Sequence, residues 1–175
     1  MKIIEGLKKI KDLQRKADDI KAKVGQFCAD IEIEVPAYGT PEAQTKQIAE
    51  WLQSHRDIIK EIESLRIRIQ KTNLAVEVAV EVSENVRVVK SIAAWIHRRK
   101  DLAKSEAQCW AILSNRNLQA KPYKKSITDE AVNVANVRKY YDQKERDKKV
   151  EEYTSEPSRI DATLEVTNAT TDLLE

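Results

Sequence analysis

Apolar residues recur at steps of three or four from the start of the chain: Ile3, Leu7, Ile10, Leu13, Ala17, Ile20, Val24, Phe27 and Ile31. That spacing places them on one narrow seam of an α-helix, and over this length it is a coiled-coil pattern. The faces beside the seam are almost entirely Lys, Arg, Asp and Glu. The pattern predicts a helix over about residues 2–31 whose seam needs a partner helix. Val35-Pro36-Ala37-Tyr38-Gly39 breaks it, and Thr40-Pro41-Glu42 reads as an N-cap, a proline at the first helical position and an acidic first turn. A second helix then extends to about Thr72 on the stripe Ile48, Leu52, His55, Ile59, Ile62, Leu65 and Ile69, widened by Trp51 and Ile58. The short link predicts an antiparallel hairpin.

The period then changes. In residues 74–82, LAVEVAVEV, Val76, Val78, Val80 and Val82 alternate with Ala75, Glu77, Ala79 and Glu81. Strict alternation of β-branched residues is a strand signal, with continued helix as the alternative because Ala and Glu favour helices. Ser83-Glu84-Asn85-Val86 reads as the N-cap of a third helix carrying Val86, Val89, Ile92, Trp95, Ile96, Leu102, Cys109, Trp110 and Leu113, ending near Asn117. Residues 119–127, with Pro122, read as a loop. A fourth helix is expected from Thr128 or Asp129 through Val132, Val134, Val137, Tyr140 and Tyr141, with an interruption at Thr154-Ser155-Glu156-Pro157 and a last helical stretch on Ile160, Leu164, Ala169 and Leu173.

Composition suits this layout. Charged residues are 34%, aromatics 5%, and there are three glycines, which favours long helices with solvated faces over a loop-rich enzyme. With 41% apolar residues and a net charge of +2, the chain can bury a core. Cys28 and Cys109 lie far apart with no CxxC spacing, so they read as buried thiols packing as small hydrophobes. The first residues are too charged for a secretory signal, and no apolar run is long enough to span a membrane, so a cytoplasmic setting is expected, or a virion if the chain is phage-encoded.

Thr72-Asn73 and Thr167-Asn168 both fall where a helix is expected to close. A duplicated hairpin would place them so, and so would the preference of Thr and Asn for helix ends. Around these residues the chain resembles the septicolysin-like family of small bacterial and phage-encoded helical proteins. Arg68-Ile69-Gln70-Lys71-Thr72-Asn73-Leu74-Ala75 is similar to one family segment, and Ile160 to Glu165 with Asn168-Ala169-Thr170-Thr171-Asp172-Leu173 is similar to the family's closing helix. Val82-Ser83-Glu84-Asn85-Val86 is similar to its capped third-helix entry. Residues 142–157 are longer here than in the family, and the loop around Pro122 differs. The resemblance implies an elongated, self-associating helical bundle and no reaction.

Candidate chemistry is sparse. His55 lies on the apolar stripe of the second helix without a second His, Cys or carboxylate cluster, which fits a packed or interface histidine better than a ligand or base. His97 precedes Arg98-Arg99-Lys100 and belongs to that charge run. No phosphate loop, nucleophile elbow, zinc-protease or calcium-loop motif occurs, so no catalytic residue, metal or cofactor is expected. A basic stretch, Arg98 to Lys125, faces an acidic tail from Glu151 onward. Pairing between helices or subunits explains it. A phosphate-binding face using Arg98, Arg99, Lys100, Lys121, Lys124 and Lys125, with Trp95, Trp110 and Tyr123 for stacking, is the sharper alternative.

The expected fold is all-α: one elongated domain over residues 1–175, made of a helical hairpin 1–73, a β or turn element 74–83 and a second hairpin 84–175, together a coiled-coil-like four-helix bundle. The expected function is non-enzymatic: a structural or assembly protein that self-associates through its seams, such as a phage virion component. Ile10, Leu13, Ile20, Ile59, Ile62, Val76, Val78, Val80, Trp95 and Trp110 are the interface candidates, with intrachain core as their other use. A nucleic-acid-binding module and a membrane-active protein, suggested by the valine strand and the family name, are the alternatives.

Overall fold

The computed structural model describes residues 1–124 and 132–175. The chain is mostly helical and also carries two small two-stranded antiparallel sheets. It divides into two compact units. One comprises Met1–Val78, Ser91–Ala93 and Leu164–Glu175; the other comprises Ala79–Lys90 and Ala94–Thr163.

In the first unit, α1 (Ile3–Phe27) and α2 (Pro41–Ala75) form the expected hairpin. Gly6 lies against Ile69 and Phe27 against Trp51, so the two helices run antiparallel. Ile3, Ile10, Leu13 and Ala17 meet Ile62, Leu65 and Ile69, with Leu164 and Leu173 completing the core. Thr40 caps α2 as its sequence predicts, its side-chain oxygen accepting the Ala43 N–H at 3.2 Å. α1 ends at Phe27, short of the expected Ile31. Phe27, Tyr38 and Trp51 pack together, Tyr38 edge-to-face on the other two rings, and the Gln44 amide donates to the Phe27 carbonyl at 2.7 Å, so the chain turns there and Ile31 is exposed.

The alternating valines form β1 (Glu77–Ser83), with Val80 fully buried and Glu77, Ala79 and Glu81 exposed. Its neighbour is β2 (Val86–Ser91), not the start of a third helix. Asn85 sits in the left-handed region at φ 61°, a conformation Asn tolerates, and its N–H donates to the Glu81 carboxylate at 3.4 Å. That turn sends the β-branched residues after it back along β1. The polar triplet read as a helix cap is therefore a hairpin turn.

Helix then runs from α3 (Ile92–His97) through a π-helical stretch (Arg98–Leu102) into α4 (Ala103–Ala111). It stops well before Asn117, where Arg116 and Asn117 both take positive φ, 53° and 59°. Lys121–Tyr123 forms β3, pairing with β4 (Asn133–Ala135) in the register Lys121↔Ala135, Pro122↔Val134 and Tyr123↔Asn133. Val132 and Val134 were expected on a helix, and Pro122 in a loop. Val134 is instead in a strand, where its β-branched side chain fits. The expected helix start at Thr128 or Asp129 lies outside the described residues.

The last helix, α5 (Gln143–Thr170), runs straight through Pro157. An interior proline costs about 3 kcal/mol. Glu156, Ile160 and Leu164 are all buried, so the buried face on either side of Pro157 outweighs that cost. Cys28 and Cys109, expected to be buried, are free and exposed: Cys28 lies beyond the end of α1 and Cys109 faces outward on α4.

Candidate functional site

Two concave features stand out, one in each unit. The first is a groove of about 860 Å³ along the α1–α2 hairpin. Ala17 and Ile62 form its floor; Gln14, Asp18 and Lys21 line it from α1, and His55, Ile59, Glu63, Arg66, Ile67 and Gln70 from α2. α2 carries two apolar stripes. Ile62, Leu65 and Ile69 are consumed by α1, whereas Leu52, Ile59, Ile67 and Leu74, at steps of seven or eight, stay 51%, 45%, 48% and 62% exposed. One partner helix can cover only one such stripe. Ile67 and Leu74 were missed as stripe residues, although the steps of eight from Ile59 to Ile67 and seven from Ile67 to Leu74, each about two turns, were readable.

The second feature is a cleft of about 330 Å³ in the other unit, walled by Val82, Val86 and Val88 and by Lys90, Trp95, Arg98, Lys149, Glu152, Tyr153 and Glu156. Its centre is an ion cluster. Arg98 Nε and Nη2 each donate to Glu156 at 2.8 Å, and its Nη1 and Nη2 donate to Glu106, eight residues further along the same helical run, at 2.5 and 3.3 Å. The π-helical stretch begins at Arg98, with the Ala103 N–H bonded to the Arg98 carbonyl five residues back. The Glu156 and then the Glu106 hydrogen bonds hold the Arg98 guanidinium even more firmly charged than usual. The Arg98 hydrogen bond in turn holds the Glu106 carboxyl below its ordinary value.

Tyr153 closes the cluster. Burial, and then its hydrogen bond to Glu106, push its hydroxyl upward, so it keeps its proton. Arg98 lies over its ring at 5.4 Å, and Lys149, raised by its hydrogen bond to Glu152, at 5.9 Å. Lys90 lies 5.1 Å over Trp95. The Arg98 donors are thus taken up by two carboxylates, one of them buried, and the cluster fixes α5 to the helical run inside this unit.

The candidate residues are distributed as follows. Ile10, Leu13 and Ile62 are buried within the hairpin, Ile20 is half-buried, and Ile59 opens on the groove. Val80 and Trp95 are fully buried, and Val76, Val78 and Trp110 are half-buried. Of the phosphate-binding candidates, Arg98 belongs to the ion cluster and Arg99 pairs with Asp161. Lys100, Lys121 and Lys124 are exposed, and Lys125 lies outside the described residues. His55 is half-buried at the groove. Among the described residues, no group of three His, Cys, Asp or Glu is placed to hold a metal ion, and no helix is long and apolar enough to cross a membrane.

The chain is similar to a conserved protein of unknown function from Corynebacterium diphtheriae, known from its crystal structure. The identity is 19%, the match covers 99% of both chains, and the TM-score is 0.47. No protein-family model matches the chain, and no curated protein matches it.

Proposed function

We propose that this protein is a non-enzymatic assembly component that self-associates through the α1–α2 hairpin. The observation that carries this reading is the second apolar stripe of α2, where Ile59 and Ile67 stand about half exposed in a groove flanked by charged side chains. Large aliphatics aligned along a helix and left facing water favour association, because burial returns roughly 25 cal/mol per Å² of apolar surface. The septicolysin-like resemblance of Arg68 to Ala75 and of Ile160 to Leu173 belongs with this reading, since it implies an elongated self-associating bundle and no reaction. A virion or another multi-subunit particle is the setting that suits such a component.

Absolute mass by light scattering, at two concentrations and two salt levels, tests the proposal. A discrete oligomer that survives high salt is expected, and the double substitution I59E/I67E should return it to the 20.1 kDa monomer. A wild-type protein that is monomeric throughout overturns the reading.

A further inference from the structure

The groove-lining residues of α2 have an internal symmetry. A two-fold axis beside α2 and perpendicular to it, at the level between Ser64 and Leu65, brings Glu63 of one copy level with Arg66 of the other, Ile62 with Ile67 and Ile59 with Gln70. At the centre of the set acid therefore exchanges with base and Ile62 with Ile67, while Ile59 comes level with the Gln70 amide. Closed two-fold interfaces require this kind of self-complementarity, because each residue meets the symmetry mate of its counterpart. Glu63 and Arg66 are also available for such pairing. Among the described residues neither forms an ion pair, while nearby Glu61 is taken by Lys9 and Arg68 by the Leu174 carbonyl.

We infer that the groove seats α2 of a second copy of this chain, antiparallel to the first, with the axis between Ser64 and Leu65. The inference rests on the self-association reading and adds the partner, the face and the register. In this arrangement Ile67 of each copy lies level with Ile62 of the other, and two Glu63–Arg66 pairs form across the axis. A parallel arrangement of the same face would bring like levels together and leave these charges unmatched.

Charge reversal tests the register. The wild-type chain should give a dimer mass. Glu63→Arg and Arg66→Glu each place like charges opposite one another twice, and each should weaken dimerisation by about tenfold or more. The double substitution E63R/R66E restores opposite charges and should bring dimerisation back. Helical content and unfolding midpoint should stay at the wild-type level in all three, since both side chains are exposed. Single variants that dimerise as tightly as wild type, or a double variant that fails to recover, overturn this register while leaving self-association in place. A wild-type chain that stays at 20.1 kDa overturns both.

Discussion

The Thr72 hydroxyl accepts the Leu174 N–H at 2.9 Å and donates to the Arg68 carbonyl at 2.8 Å, joining α2 to the C-terminal segment across 102 positions of sequence. Around it, Arg68 Nε donates to the Leu174 carbonyl, the Leu173 N–H to the Met1 carbonyl, and Lys2 pairs with Asp172 at 2.6 Å. α2, the C-terminal segment and the first two residues thus meet in one clasp.

Replacing Thr72 by Val keeps its shape and removes both hydrogen bonds. Thr72 is fully buried, so the Leu174 N–H loses its partner. A loss of about 1–3 kcal/mol is expected by urea denaturation, with Thr72→Ser retaining most of the stability. Equal stability of the Thr72→Val variant and wild type would count against the clasp.

Gly6 is set by packing, not by its backbone. A Cβ there would meet Leu173 Cδ1 at 3.0 Å and Ile69 Cδ1 at 3.5 Å. Gly6→Val should cost about 1–3 kcal/mol through overpacking. Adding Leu173→Ala makes room, so the double variant should lose less than the sum of the two single losses, which a double-mutant cycle reads directly.

Arg98 holds a buried acid. Arg98→Ala leaves Glu156, which is 3% exposed, without its counter-charge, and a loss of about 3–5 kcal/mol is expected. Removing both partners in R98M/E156L should cost less than R98A alone. Chemical denaturation of the two variants decides it.

The same cluster sets the pH dependence. Glu106 titrates below its ordinary value, so its contribution is present above about pH 4.5 and fades as pH falls through the lowered value. Asp172, held down by the Lys2 hydrogen bond, acts in the same direction. Tyr153 and Lys149 are shifted upward, so their contributions are present below about pH 10 and fade as pH rises further. Unfolding midpoints should therefore drop at both ends of the scale, and Glu106→Gln should flatten the acid limb.

Both thiols are open to reagent. Cys28 and Cys109 should each react with a thiol-specific disulfide reagent in the folded protein, giving two equivalents without denaturant. Protected thiols would restore the buried reading of the sequence.

Local periodicity alone determined much of this protein. The seam of α1, the Thr40 cap and the alternating valines of β1 each follow from spacing within a few residues, because hydrogen-bonding rings and side-chain periods are local. What the tertiary structure decided lies where two local readings compete or where the partner is distant. Val86 to Ser91 could begin a helix or a strand, and pairing with β1 chose strand. Pro157 should break a helix, but the burial of Glu156 and Ile160 carried α5 through it. Arg98 reads as a phosphate ligand until Glu156, 58 residues away, is found holding it. The two stripes of α2 look alike in sequence; only the position of α1 determines that Ile62 is core and that Ile59 and Ile67 face a groove.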